Sequence, residues 1–308
     1  MSLQKTRINI KGKDFEVNSV KVGNVEMVVT EGFLRHVWVN DEWFTEVDDP
    51  EKIIGTLKKI SPRPDYFTFI QRVPDGEPRF PYYRETESWA VLPVSSFDHW
   101  WKNQIKSEAR NRARQAGKRG VVMKRPDFDD AFVEGMVDIF NETPVRQGKP
   151  FWHYGKDFET VKNQFSRYLF RESLIGAYYE DKLIGFIMLG NAGKFAVTGQ
   201  IISKIKHRDK CPNNALIAEA IRVCEEKGIP YLCYTYWDER SLGGFKKKNG
   251  FERFDVPRYY VPLTVKGKVA LSLNLHRGFK GMLPERLKNR LKDLRNRYYN
   301  KKSKGKDN

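Results

Sequence analysis

The side chains best placed to do chemistry lie in the C-terminal third of the chain. Lys246 follows Phe245, precedes Lys247 and Lys248, and stands shortly before Gly250. Asp238 and Glu239 come just after residues 231–236, a run that reads as a strand, and sites in open α/β sheets lie at such strand ends. Either carboxylate could act as a base. Capping of the next helix is the commoner use of an Asp in this position. Tyr234 and Tyr236 share one face of a regularly alternating strand, where they either line a pocket or pack in a core. A lysine in a run of three is ordinarily a surface residue. Upstream, Arg146, Lys149 and His153 occupy a loop. The first two read as loop charges, and His153, beside Trp152, as a bystander or a base. A cation, two carboxylates and two phenols can move protons and stabilise a developing negative charge.

Metal and disulfide chemistry lack the residues they need. Cys211, Cys224 and Cys233 are three in number and lack short paired spacing. They are expected to be reduced thiols in or near a core. The five histidines, His36, His99, His153, His207 and His276, have no metal-ligand spacing, so no metal site is expected.

These side chains need a frame, and the residue pattern supplies one. Residues 1–95 read as strands over 20–30, 35–40, 66–71 and 88–94, with a helix from Pro50 to about residue 60. Residues 96–119 read as one helix with Ser96 as its cap. Its apolar face would hold Trp101, Ile105, Ala109, Ala113 and Ala116, and Lys102, Lys106, Arg110, Arg114 and Lys118 would form one row. Like charges at that spacing repel, so such a row calls for an anionic neighbour or for full solvation. From Gly120 the pattern gives a strand, helices over 127–140 and 156–170, and a hairpin over 174–190 turning at Asp181-Lys182. A longer strand over 195–206 follows, then a helix capped by Asn213 or Asn214 and ended by Lys227-Gly228. A strand, a short helix and strand material to Leu263 complete the series. Residues 264–308 read as a basic helical tail, with a helix from Pro284 carrying a thin stripe of Leu287, Leu291, Leu294 and Tyr298.

The chain has 308 residues and a net charge of +17. Residues 99–125 contribute +8 and residues 276–308 contribute +9, so these two segments carry the whole excess. Such placement points to specific anionic contacts. No apolar run approaches the ~20 residues of a membrane span. The polar N-terminus lacks the apolar core of a secretory signal, and a cytoplasmic protein is the expectation.

The element order, together with several short motifs, resembles the GNAT acyltransferases, and within them the Fem-type branch of peptidoglycan aminoacyltransferases and their relatives. The motifs are Phe245-Lys246 ahead of Gly250-Phe251-Glu252, the basic helix from Arg110 to Lys118-Arg119-Gly120-Val121, and Thr143-Pro144-Val145-Arg146-Gln147-Gly148. Cys211-Pro212-Asn213-Asn214-Ala215-Leu216 looks like that branch's entry into the central helix. The resemblance covers about residues 90–263. It implies an α/β (α+β) fold with a mixed, mostly antiparallel sheet flanked by helices. Residues 1–95 would form a partial GNAT-like subdomain, residues 96–263 the acyltransferase core and residues 264–308 the tail.

The resemblance also implies N-acyl transfer from an activated donor, acyl-CoA or aminoacyl-tRNA, to an amine, with no metal. The acyl group would sit where residues 195–206 and 231–236 splay apart. A backbone N–H near Ser203 would face the oxyanion, and Lys246 would supply positive charge to the oxyanion or to a donor phosphate. Ser203, Lys204, Lys206, Arg208, Lys210, Asn213, Asn214 and Phe245 would bind the donor. Arg146, Lys149 and Tyr234 would bind the acceptor. Tyr236, Asp238 and Glu239 would join Lys246 in catalysis. The chain departs from the family at residues 206–212, where acetyl-CoA users carry a glycine-rich pyrophosphate loop and this sequence has no glycine. The acceptor would be a small molecule or a cell-envelope amine. Transfer RNA, and peripheral contact with the inner membrane face through residues 276–308, are expected partners. A non-catalytic nucleic-acid or anionic-membrane binder on a GNAT-like fold is the competing expectation.

Overall fold

A computed structural model of the protein describes residues 3–10, 13–239 and 241–278. The helix expected from Pro284 and its Leu287, Leu291, Leu294 and Tyr298 stripe lie outside the described residues.

Four strands come first, β1 (Gln4–Ile10), β2 (Lys13–Val22), β3 (Val25–Val29) and β4 (His36–Val39). Helix α1 (Pro50–Leu57), β5 (Tyr66–Ile70) and β6 (Tyr83–Pro93) follow. Next are α2 (Phe97–His99), a π-helical turn over Trp100–Gln104, α3 (Ser107–Lys118) and β7 (Val122–Lys124). Then α4 (Asp130–Phe140), a small hairpin of β8 (Val145–Arg146) and β9 (Lys149–Pro150), and α5 (Phe158–Phe165) lead to three long strands. These are β10 (Glu172–Tyr179), β11 (Lys182–Asn191) and β12 (Ala196–Ser203). The series closes with α6 (Pro212–Glu226), β13 (Tyr231–Tyr236), α7 (Ser241–Lys248), β14 (Glu252–Pro262) and α8 (Val265–Ser272). The small hairpin apart, the order from β7 to β14 is the one the sequence predicts.

Among the described residues, twelve strands form one sheet in the order β1-β2-β3-β4-β5-β14-β6-β13-β12-β11-β10-β7. All pairs are antiparallel except β4 with β5 and β12 with β13. The sheet is mixed, mostly antiparallel, and flanked by helices. β14 slots between β5 and β6, with Arg258 opposite Ile70 and Glu252 opposite Val91. β11 shows why its run is almost wholly apolar. Ile184, Ile187 and Leu189 pack toward α3 and α6, while Leu183, Phe186 and Met188 pack toward α4 and α5. A strand covered on both faces needs apolar residues on both.

Several expectations are corrected. Residues 20–30 are two strands, because Gly23, at φ +60°, turns the chain between Val22 and Val25. The 174–190 hairpin turns at Glu180-Asp181, both at positive φ, rather than at Asp181-Lys182; paired positive φ values match the right-handed twist of the strands. Neither Asn213 nor Asn214 caps α6. Cys211 precedes it at φ +55° and Pro212 opens it. The helix over 96–119 is broken: Ser96 caps α2 as expected, but Ile105 is extended and α3 begins anew. Trp100, not Trp101, is fully buried, and its Nε1 donates to the Asn249 carbonyl at 2.9 Å. The Lys106 N–H donates to the Lys248 carbonyl at 2.9 Å. The break thus ties α3 to the end of α7. It also dissolves the five-cation row. Lys102 pairs with Asp98, Arg110 donates to the carbonyls of Lys102 and Ile105, and Arg114 lies over the Trp101 ring.

Candidate functional site

The site begins where two parallel strands part. β12 and β13 pair only at Ala196–Leu232 and Val197–Cys233. Beyond that point each strand carries a bulge. In β12, Thr198 and Gln200 oppose Leu189 and Met188, leaving Gly199 as the extra residue. In β13 the register against β6 slips between Cys233 and Tyr236, and Thr235 adopts φ +45°. Bulges of this kind re-aim side chains. Tyr234 therefore packs against Phe245 and Phe251, whereas Tyr236 is 53% exposed with its ring edge on Trp43. The face the two tyrosines were expected to share does not exist.

The bulge also gathers carbonyl groups beneath the gap. Lys246, expected at the surface on residue pattern alone, is 1% exposed. Its Nζ donates to the Tyr234 carbonyl at 2.7 Å and to the Tyr236 carbonyl at 2.5 Å, and it lies over the Tyr234 ring. Lys247 and Lys248 are exposed. Burial lowers the Lys246 pKa to about 8, with the Asp238 carboxylate opposing that shift. Glu239 is not brought to this point. It is exposed and accepts from Trp237 Nε1 at 2.7 Å and from Lys247 at 3.1 Å. Gly243 permits the tight start of α7, since a Cβ there would stand 1.5 Å from the Asp238 carbonyl oxygen.

The residues expected to hold donor and acceptor are largely engaged within the fold. Arg146 is half-buried and donates to the carbonyls of Ser203 and Ile139 and to Glu142. Burial lowers its pKa, against the Glu142 charge. Lys149 pairs with Arg146 across the small hairpin and is exposed. Ser203 lies opposite Gly185, past the level at which β13 ends. Lys204 is buried in an ion pair with Asp138. Lys210 pairs with Asp209 and covers the Tyr179 ring, and Arg208 is exposed. The backbone N–H groups of Ile205 and Lys206 both donate to the Glu142 carboxylate, at 2.6 and 2.9 Å. An internal anion thus occupies backbone donors at the head of the glycine-free segment 206–212.

One cavity lies at the gap and another beside α7. The second, of 190 Å³, lies between α3, α6 and α7, lined by Ala109, Arg112, Asn214, Phe245, Lys248 and Asn249. Asn214 donates to Asn249 at 3.3 Å there, and Asn213, one residue earlier, has a buried Oδ1 with no partner among the described residues. The other, of 260 Å³, lies toward α5 and includes Trp43, Tyr168, Glu172, Thr198, Gly199 and Thr235. Sequence reasoning missed Glu142, Glu172 and Thr235. Glu142 stands four residues before Arg146, a spacing that signals that pair, but its bonds to the Ile205 and Lys206 N–H groups, and the surroundings of Glu172 and Thr235, come from elements distant in sequence. His153 is buried against Phe140 and Trp152, and burial, with Lys156 nearby, lowers its pKa to about 3. It is a core ring, not a base. Among the described residues no cluster of three metal-ligating side chains occurs, and no helix is long and apolar enough to cross a membrane.

No family model matches the chain, and no curated protein matches it by sequence. Solved structures do resemble it. FemX superposes with a TM-score of 0.57 at 12% identity, over 88% of this chain and 90% of that one. The C-terminal domain of a proposed lysylphosphatidylglycerol synthetase from Agrobacterium fabrum gives 0.54 at 12% identity, over 84% and 88%. L-PGS from Bacillus licheniformis gives 0.52 at 11% identity, over 82% and 86%. The chain shares the fold of these structures.

Proposed function

We propose that this chain is an N-acyltransferase that moves an aminoacyl group from aminoacyl-tRNA to an amine. The observation that carries the reading is the buried Lys246 ammonium, held by two carbonyl oxygens of β13 where β12 and β13 separate. An acyl carbonyl entering that gap gains negative charge as the amine attacks. A fixed cation in a water-poor site stabilises that charge far better than a solvated one. The cavity beside α6 and α7 suits the donor's end, with Arg112 and Lys248 at its wall. The other cavity suits the acceptor.

The choice of donor rests on Glu142. A CoA pyrophosphate bound as in acetyl-CoA users would compete with a carboxylate for backbone N–H groups at the end of β12. An aminoacyl-tRNA places no pyrophosphate there, and its backbone phosphates suit the basic segment over residues 99–125. Melting of the full chain with CoA and acetyl-CoA, against tRNA at matched salt, tests the choice. A rise with tRNA alone is expected. A clear rise with micromolar acetyl-CoA and none with tRNA would replace this donor with a CoA thioester.

A further inference from the structure

The 260 Å³ cavity is walled by Trp43, Phe44, Phe165 and Tyr168 and floored by bulged β12. It has a distinctive charge pattern. Glu172 is the only acidic side chain on its wall, and no Lys, Arg or His lines it. Two polar atoms there, Glu172 Oε2 and Thr198 Oγ1, are buried without a hydrogen-bond partner among the described residues. Buried groups in native proteins normally find partners, and those that do not call for an explanation such as a ligand. A carboxylate and a hydroxyl among aromatic rings fit a cation that donates hydrogen bonds. The volume is below the ~300 Å³ at which cofactor and drug sites begin, so it fits a slender group.

The position is also suited to acyl transfer. Gly199 is the bulged residue, and a Cβ on it would stand 3.6 Å from Glu172 Oε1. Thr235, on the same wall, lies between the two residues whose carbonyls hold Lys246. A second cavity, of 420 Å³ and open to solvent, shares Phe44 and Glu172 with the first. It gives Glu172 a route to water.

We propose that Glu172 binds and deprotonates the acceptor, and that the acceptor presents a primary ammonium on an unbranched aliphatic chain. The role as base rests on the transferase reading above; the ammonium site does not. Glu172 takes one proton from R–NH3+ and becomes the neutral acid. The freed nitrogen pair attacks the acyl carbon, a C–N bond forms, and the carbonyl π pair moves to the oxygen near Lys246. When that intermediate collapses, the bond from the acyl carbon to the donor oxygen breaks. The leaving oxygen takes the surplus proton still on nitrogen. Glu172 then returns its proton to water through the outer cavity. Burial raises the Glu172 pKa to about 7, which places it well for this exchange. The charged groups around it are Arg171 and Lys227 on the outer cavity; the titratable Tyr168 is neutral, and its hydroxyl donates to Asp41, itself paired with Arg167. Arg171 lies over the Phe170 ring and Lys227 donates to Ser173.

Titration of the full chain with n-pentylamine, with 1-pentanol as the uncharged control, tests the site. Pentylammonium is expected to bind at pH 8 and pentanol not to compete with it. Binding should weaken by about tenfold or more in Glu172→Gln and in wild type at pH 6. Gly199→Val, which fills the space beside the carboxylate and leaves Glu172 in place, should also lose it. Equal binding by wild type and Glu172→Gln, or no binding by a folded wild type, would overturn the proposal. Pentylammonium bound through Glu172 by a protein that transfers nothing from tRNA would uphold the ammonium site and refute the transferase reading. Transfer at the wild-type rate by Glu172→Gln would refute Glu172 as base and leave that reading intact.

Discussion

The ammonium of Lys246 donates to the carbonyl oxygen of Tyr234 across 2.7 Å, a contact made possible by the Thr235 bulge that turns the neighbouring Tyr236 carbonyl to the same nitrogen. The folded-state pKa of about 8 lies below the ordinary lysine value of 10.5. Below pH 8 both folded and unfolded chains hold the proton, and the full cost of burying the charge is present. Between those two values the unfolded chain binds more protons, so stability from this residue rises with pH. Denaturant unfolding of wild type and Lys246→Met at pH 7.5 and 9.5 should show the difference moving in favour of wild type at the higher pH.

The rate of transfer should have the opposite upper limb. In the proposed roles, Lys246 can stabilise an oxyanion only while protonated, and Glu172 can accept a proton only while ionised. With pKa values of about 8 and about 7, the rate should rise through pH 7 and fall above pH 8. In Glu172→Gln the acid limb should vanish while the alkaline limb stays. A profile flat from pH 6 to 9 would show that neither group titrates in the rate-determining step.

Glu142 is expected to act as a built-in anion. Glu142→Ala breaks a largely buried pair with Arg146 and frees the N–H groups of Ile205 and Lys206. Loss of such a partner costs about 3–5 kcal/mol. Added pyrophosphate should raise the melting temperature of Glu142→Ala and leave wild type unchanged. An equal response in both proteins would mean that the carboxylate does not block an anion site.

Gly243→Ala should disturb the start of α7, because its Cβ would meet the Asp238 carbonyl at 1.5 Å. Overpacking of this sort costs about 1–3 kcal/mol. Activity should fall with it, since the same short helix carries Lys246. Thermal melting and transfer assays on one preparation check both effects.

The order of elements from β7 to β14 was legible because apolar periodicity and turn residues are local signals. What surrounds Lys246 was not. Three adjacent lysines look alike in sequence, and only a family pattern singles out the one that lies beneath the gap. The bulge at Thr235 is invisible in Tyr231–Tyr236, which alternates as a plain strand would, so the pattern puts Tyr234 and Tyr236 on one face. The break at Ile105 was hidden for a similar reason. Residues 96–119 have helical composition, and it is Trp100 reaching Asn249, together with Lys106 reaching Lys248, that favours the interruption. The resemblance reads Arg146 and Lys204 as ligand-binding cations; Lys204 meets Asp138 of α4 only in the folded chain, whereas Arg146 has Glu142 four residues before it, a local pairing signal that this reading passes over.

The role proposed for Lys246 is to stabilise charge on a transferred acyl carbonyl. Single-turnover transfer of labelled amino acid from charged tRNA to a panel of primary amines, by wild type and Lys246→Met, tests it most directly. An amide product is expected with wild type, and a rate lower by about 10²–10³ in Lys246→Met, in a protein that still melts cooperatively. Lys246→Met forming product as fast as wild type would contradict it.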